Sequence, residues 1–214
     1  MNLRLTSRTP LPMTFLAVAI ALLGIALAWR FWQSQQSVAA HPETPAFRAL
    51  VEPRVMLADV FRSYDSEAAI ATALESAGLT VQRRVQERPP NERHPPRRMA
   101  SFTVVRYQHL GCEGTLVLEF FNNRLMEVDF RPDDPARYAP RLRRTLEAVR
   151  NLGTGHWEVL APPLRIWSSV DLAKSKVGRT LGSEGVVLWQ DLRLIQQRDD
   201  WDARFGHIPV PAPD

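Results

Sequence analysis

The stretch GTLVLEFFNNRLMEVDF, residues 114–130, decides the fold of this chain. Apolar and aromatic residues dominate both of its ends, and such residues favour the pleated, half-buried surface of a strand. Asn122 and Asn123 lie between the two ends, and asparagine tolerates the left-handed backbone that a tight turn requires. The pattern predicts an antiparallel hairpin with strands at 115–121 and 125–130.

The register of this hairpin depends on the length of its turn. A two-residue turn pairs Phe120 with Leu125 and places Leu118 opposite Glu127, which mixes apolar and charged residues. A three-residue loop places apolar side chains opposite one another, in the pairs Phe120–Met126, Leu118–Val128 and Leu116–Phe130. We predict the second register because it gathers one apolar face, with Glu119, Glu127 and Asp129 on the other.

A helix and two strands are predicted before the hairpin. Asp65 or Ser66 can cap a helix over 66–77, and Gly78 can end it. A strand follows at 79–85. The next segment, QERPPNERHPPRR at 86–98, is predicted to be a loop because its prolines remove backbone donors. It leads into a strand at 101–109.

After the hairpin, the pattern becomes helical and then returns to strands. Asp133 or Asp134 can cap a helix over 135–152, in which apolar residues recur at helical spacing. The remaining predicted elements are strands at 157–160, 164–170, 186–190 and 193–197 and a short helix at 200–205.

Two segments of the chain share a pattern. GTLVLEFFNNRLMEV at 114–128 and GVVLWQDLRLIQQ at 185–197 each contain a glycine, an apolar run, an Asn or Asp turn and a second apolar run. The predicted fold class is therefore α+β: an N-terminal transmembrane helix followed by an antiparallel sheet domain with two packed helices. Two α-β-β-β repeats, at 58–132 and 133–206, are the hypothesis for its internal organisation. The alternative is a chance likeness between two hairpins.

The first of these units carries a resemblance to known proteins. A helix followed by a three-stranded meander with an F-x-N-x-R-L hairpin, Phe120 to Leu125, resembles the SmpA/BamE-type outer-membrane assembly lipoproteins. The tandem version is similar to the β-lactamase inhibitor protein. The resemblance rests on residues 66–78 and 116–128, and it implies scaffolding of envelope complexes or inhibitory binding. It transfers no functional residue. The chain departs from the lipoproteins because no cysteine follows its apolar run.

That apolar run, FLAVAIALLGIALAW at 15–29, predicts a membrane span. No charged residue lies between Arg8 and Arg30, and a bilayer core of about 30 Å takes roughly 20 apolar residues in a helix. Two arginines precede the run, whereas Arg30 alone follows it closely, which favours a cytoplasmic amino terminus. We expect a signal anchor at 1–32 in a bacterial inner membrane, crossed once, with a periplasmic carboxyl-terminal domain. A signal peptide cleaved after Val38-Ala39-Ala40 is the alternative.

The remainder of the chain is predicted to have three parts. Residues 33–57 are polar, unpatterned and interrupted by prolines, which is typical of a linker. Residues 58–206 form the exported α+β domain, and residues 207–214, with three prolines, form a loose tail.

The residues do not form a pattern that predicts a catalytic, cofactor or metal site. Cys112 is the single cysteine, which excludes an intramolecular disulfide and a multi-cysteine metal site. No two histidines have the i, i+4 spacing of a zinc pair, and no Walker loop or dinucleotide fingerprint occurs. His109 and Cys112 are close in sequence, but a cysteine nucleophile also needs an orienting group, so we interpret the pair as part of a turn. No cofactor is expected.

The predicted partners are the membrane and another envelope protein. The net charge of +4 comes almost wholly from arginine, and without a binding motif it does not predict a nucleic-acid partner. Candidate interaction residues are Trp157, Trp201, Arg97 and Arg98, because aromatic residues and arginines dominate interface energetics. We expect a non-enzymatic protein that binds or scaffolds an envelope component. The alternatives are an extracytoplasmic small-ligand sensing or binding domain and an enzyme of unrecognised type.

Overall fold

An eight-stranded antiparallel sheet dominates the part of the chain that the computed structural model describes, namely His41 and residues 43–146, 148–175, 180 and 184–209. A short ribbon of β1 (Met56–Ala58) and β2 (Phe61–Arg62) precedes the sheet. The strands of the sheet are β3 (Gln82–Arg88), β4 (Arg97–His109), β5 (Cys112–Phe121), β6 (Arg124–Pro132), β7 (Arg150–Gly153), β8 (His156–Ala161), β9 (Leu164–Ser168) and β10 (Val187–Asp191). The α+β class is confirmed.

The described helices are α1 (Glu67–Ser76), α2 (Pro135–Arg143), α3 (Val170–Lys174) and α4 (Leu192–Phe205), and a 3-10 turn covers Ala46–Arg48. The predicted caps are confirmed for the first two helices. The Ser66 side chain accepts a hydrogen bond from the backbone of Ala69, and Asp134 accepts one from Arg137.

The spatial order of the strands is β3-β4-β5-β6-β10-β9-β8-β7, and every pair is antiparallel. Each half of the sheet contributes four strands: β3–β6 follow helix α1, and β7–β10 follow helix α2, with α3 between β9 and β10. The two halves meet where β6 pairs with β10. Strands β3 and β7 form the two outer edges.

The hairpin that decides the fold combines both predicted registers. Leu118 pairs with Val128 and Leu116 with Phe130, as expected, but Phe120 pairs with Leu125 rather than with Met126. The turn has two residues, so Phe120 pairs with Leu125. A β-bulge at Met126 then adds one residue to β6, and beyond it the pairs follow the predicted register. Asn122 and Asn123 both have positive φ, at 49° and 63°. The three-residue loop is therefore wrong.

The bulge sends Met126 to the opposite side of the sheet. The main core lies on the side of α1 and α2 and contains Leu118, Phe120, Leu125 and Val128. Met126 joins a second, smaller cluster on the other side, with Phe47, Tyr64, Phe121, Leu194, Trp201 and Phe205. Both faces of this hairpin therefore bury apolar side chains.

The predicted strand at 193–197 is wrong, because these residues begin helix α4. The alternation in Leu192-Arg193-Leu194 looks like a strand, but Leu194, Trp201 and Phe205 form one buried helical stripe. The hairpin likeness between 114–128 and 185–197 fails for the same reason. The helix predicted over 135–152 ends at Arg143, and residues 150–153 form β7 instead.

The predicted linker also needs correction in its described part. Phe47 is buried in the second cluster, and its carbonyl oxygen accepts hydrogen bonds from Asn122 and Arg124. Residues 43–57 are therefore docked on the domain. The start of the predicted tail is held as well, because Arg88 donates a hydrogen bond of 2.6 Å to the carbonyl oxygen of Ile208.

The predicted span at 1–32 and the first part of the predicted linker lie outside the described residues. Within the described part of the chain, none of the helices has the length and apolar character that a membrane crossing needs.

Candidate functional site

The two candidate tryptophans are core residues, so their prediction as an interaction surface is corrected. Trp157 lies on the inward face of β8 and Trp201 on the inward face of α4, and both side chains are completely buried. The apolar spacing around each tryptophan is equally compatible with core and interface. Neither ring is available to a partner in this structure.

The two candidate arginines are partly exposed and lie in ion pairs. Arg97 pairs with Asp202 of α4 at 2.9 Å, and its guanidinium lies over the ring of Trp201. Arg98 pairs with Glu67 and Glu87, at 2.9 and 3.0 Å. The sequence pattern predicts a loop at these arginines, but they begin strand β4.

Glu67 connects helix α1 to the first two strands of the sheet. Its buried carboxylate accepts hydrogen bonds from Arg98 and from Arg83 of β3. Burial alone would raise the pKa of Glu67, but the two guanidiniums outweigh burial, and the pKa lies below its ordinary value. The same pairing raises the pKa of Arg98. This ion network holds β3 in place from one side.

Strand β3 is the longer of the two edge strands of the sheet. Residues 82–87 are all exposed, and β4 is their sole neighbour in the sheet. An edge strand presents unpaired amide and carbonyl groups that can pair with another chain. Edge strand β7 is shorter, with four residues, and its pairing with β8 is irregular between Asn151 and Gly153. The seven-residue β3 is therefore the better template for an added strand.

A groove runs beside β3 on the face of the sheet away from α1. It has a volume of about 500 Å³ and is lined by Gln82, Arg84, Gln86, Arg97, Met99, Ser101, Thr103 and Glu119, among others. The register explains this lining, because Gln82, Arg84 and Gln86 pair with Thr103, Ser101 and Met99. Side chains on one face of β3 therefore point into the groove.

The charge beside β3 is mostly positive. Arg84 is exposed and makes no ion pair with the described residues, and Arg83 and Arg88 lie on the same strand. At the inner wall, burial raises the pKa of Glu119, and nearby Glu127 and Asp129 add to that effect against the hydrogen bond from Ser101. The arginines of β3 outnumber its single acidic residue, Glu87, so the strand carries an excess of positive charge.

The one polar network that resembles catalytic chemistry within the described residues centres on His109. Its Nδ1 shares a hydrogen bond of 2.6 Å with the hydroxyl of Tyr138, and its Nε2 lies 3.5 Å from Asp59. Tyr107 donates a hydrogen bond to the same carboxylate. Burial lowers the pKa of His109, against the opposing effect of the Asp59 charge.

Cys112 lies opposite His109 in the β4–β5 register but makes no hydrogen bond to it among the described residues. Sequence reasoning interpreted the two as part of a turn, and they do flank the tight turn of Leu110 and Gly111. The partners of His109 come instead from the β1–β2 connection and helix α2, far away in sequence. These contacts connect the β1–β2 ribbon, the sheet and helix α2. The Cys112 thiol makes none of these hydrogen bonds.

Within the described ranges, no three His, Cys, Asp or Glu side chains converge in a way that could hold a metal ion. Comparison with protein-family models gives no match, and comparison with curated proteins gives no significant similarity. The candidate site therefore rests on the geometry of β3, the groove beside it and their arginines.

Proposed function

We propose that this chain is a membrane-tethered, non-enzymatic protein of the bacterial envelope that binds an extended acidic segment of a partner along strand β3. The observation that carries the proposal is the outer edge of β3, where residues 82–87 are exposed along a seven-residue strand. The predicted span at 1–32 supplies the tether and places the domain in the periplasm.

Pairing with an edge strand supplies affinity through the backbone, and side-chain contacts on the flanking face supply specificity. A segment added beside β3 would place alternate side chains over the groove that Gln82, Arg84 and Gln86 line. The groove is polar and carries arginine, so it suits acidic and hydrogen-bonding side chains rather than large apolar ones.

Charge complementarity supports an acidic partner. Strand β3 carries Arg84 and Arg88, which make no ion pair with the described residues, and Arg83, which pairs with Glu67. Its one acidic residue, Glu87, pairs with Arg98. Charged side chains on an edge strand also disfavour indiscriminate pairing with other strands. The same side chains therefore reject basic or apolar segments and favour an acidic one, and the charge accelerates association.

Site-specific photo-crosslinking in cells tests this proposal. A photo-reactive residue in place of Gln86 would face the groove, whereas the same residue in place of exposed Gln196 on α4 serves as the matched control. We expect crosslinks from position 86 to a protein segment rich in aspartate and glutamate, and none to that segment from position 196. Crosslinks from position 196 alone, or a basic segment captured at position 86, would contradict the proposal.

A further inference from the structure

Five arginines from four separate segments line one cavity of about 630 Å³, which we call the arginine cavity. They are Arg48 of the 3-10 turn, Arg88 of β3, Arg97 and Arg98 of β4 and Arg124 of β6. Glu87 is the single acidic residue in its lining, and the rest comes from the β3–β4 loop and the Asn122-Asn123 turn.

The positive charge of the arginine cavity is only partly neutralised. Arg97 and Arg98 have carboxylate partners, as described above. Arg48, Arg88 and Arg124 make no ion pair with any described residue. Three guanidinium groups therefore share one cavity without compensating carboxylates, an arrangement that an anion would stabilise.

Arg124 shows the electrostatic cost of this arrangement. Its buried guanidinium donates hydrogen bonds to the carbonyl oxygens of Phe47, Ala49 and Phe121, and none of these acceptors carries a charge. Burial, together with the charge of Arg48 and against the opposing effect of Tyr64, lowers the pKa of Arg124 to about 10. Buried charges are ordinarily paired with an opposite charge, so an anion bound nearby would stabilise the charged guanidinium of Arg124.

Arg88 also has a buried hydrogen-bond donor that lacks an acceptor among the described residues. Its Nη2 donates to Ile208, but its Nε is buried and has no hydrogen-bond partner within the described residues. Such unsatisfied buried donors are rare in folded proteins, and a bound ligand is one of the ordinary explanations.

Aromatic rings hold the guanidiniums in place before any ligand arrives. Arg88 and Arg97 lie over the ring of Trp201 at 5.1 and 5.4 Å, and Arg124 lies near the rings of Tyr64 and Phe121. Stacked arginines lose less conformational freedom when they bind, and their planar forks match tetrahedral oxyanions.

We infer that the arginine cavity is a binding site for a phosphate group. Three uncompensated guanidiniums from different segments suit a phosphate group, because its tetrahedral oxygens can accept hydrogen bonds from guanidinium forks that approach from several directions. The group would belong to free phosphate, to a phosphorylated small molecule or to the headgroup of an anionic lipid. The cavity adjoins the end of β3 and shares Arg88 with that strand and Arg97 with the groove, but its ligand is a phosphate group rather than a peptide segment, so the inference goes beyond the function proposed above.

Calorimetric titration with inorganic phosphate tests this inference on the full chain in phosphatidylcholine nanodiscs. We expect saturable binding, which Arg48→Gln weakens by about tenfold or more, since Arg48 is exposed and its loss removes one charged hydrogen bond. The matched control Arg137→Gln changes an exposed arginine on α2, outside the cavity, and should leave phosphate affinity unchanged. Arg84→Glu should also leave it unchanged, which separates this site from the β3 edge.

The source of the phosphate group follows from a second arm with phosphatidylglycerol nanodiscs. Weaker binding of free phosphate there than in phosphatidylcholine would assign the site to a lipid headgroup that already occupies it. Equal binding in both would assign it to a soluble phosphate compound. Absence of saturable phosphate binding, tighter binding of acetate than of phosphate, or equal losses in Arg48→Gln and Arg137→Gln would overturn the inference.

Discussion

The guanidinium of Arg124 donates a hydrogen bond of 2.6 Å to the backbone carbonyl oxygen of Phe47 and so ties the hairpin turn to a segment 77 residues earlier. The ring of Phe47 packs edge-on against Phe205 of α4 at 6.2 Å. Residues that sequence alone assigns to a linker therefore complete the second core. The domain begins before residue 58.

Replacing Phe47 by alanine should destabilise the domain by about 3–5 kcal/mol, because a buried aromatic ring leaves a large cavity. Denaturant melts of the full chain in detergent measure this change. Leu50→Ala, three residues later and half exposed, is the control and should cost far less. Similar small losses at both positions would show that the segment is a linker after all.

The two sides of the hairpin should respond differently to substitution. Leu118 is completely buried, so Leu118→Ala should cost about 2–5 kcal/mol in thermal or denaturant melts. At neighbouring Glu119, burial raises the pKa of the carboxylate, so the charged form destabilises the folded state at neutral pH. Glu119→Gln should therefore leave stability unchanged or slightly higher. Equal losses at the two positions would contradict the observed register.

Local patterns were sufficient to predict the α+β class, both helix caps and most of the strands. They could not place the bulge at Met126, because a core exists on both faces of the hairpin and either register buries apolar residues. The strand expected at 193–197 failed because three residues of alternation look alike in a strand and in a helix whose stripe continues to Trp201. The hypothesis that the two halves are repeats stays a prediction.

The stability of the domain should fall in mild acid through Glu67. The Arg98 and Arg83 guanidiniums, opposed by burial, hold the folded-state pKa of Glu67 below its unfolded value of 4.5. Its contribution is thus present above that value and is lost as the pH falls through the folded pKa. Denaturant melts across this range should show the loss in the native protein.

The variant Glu67→Gln isolates that effect. It should be less stable by about 1–3 kcal/mol at neutral pH, since it weakens three charge-assisted hydrogen bonds to a buried carboxylate. Its melts should also lack the part of the acid dependence that Glu67 contributes. An unchanged slope of stability against pH in the variant would contradict the role given to this carboxylate.

The candidate site was harder to foresee than the fold. Arg88, Arg97 and Arg98 lie in one basic stretch of the sequence, at 86–98, but Arg48 and Arg124 come from other segments. The spacing of residues along the chain does not show that these arginine side chains come together in the fold. Arginine is also so common in this chain that these five do not stand out. The sequence also could not predict that Trp157 and Trp201 are buried, because tryptophan is common both in protein cores and in interfaces.

The orientation of the chain in the membrane can be measured directly with reporters. Alkaline phosphatase fused after Asp214 should be active, and a fluorescent protein that folds only in the cytoplasm should be dark at the same position. The reason is the excess of arginine before the apolar run at 15–29. A silent phosphatase together with bright fluorescence would reverse the orientation and remove the periplasmic location.

The central claim, that β3 binds an extended acidic segment, is tested most directly by hydrogen exchange with defined peptides. The full chain would be mixed with a peptide that alternates glutamate and threonine, or with its counterpart that alternates lysine and threonine. We predict that the acidic peptide binds and protects the backbone amides of β3, residues 82–88. Arg84→Glu should weaken this binding by about tenfold, whereas Arg137→Glu should not.

Three results of this measurement would contradict the claim. The first is equal binding of the acidic and the basic peptide. The second is protection that falls on β7, residues 150–153, instead of β3. The third is protection of β3 in the absence of peptide together with dimer formation, which would identify a second copy of this chain as the occupant of the edge.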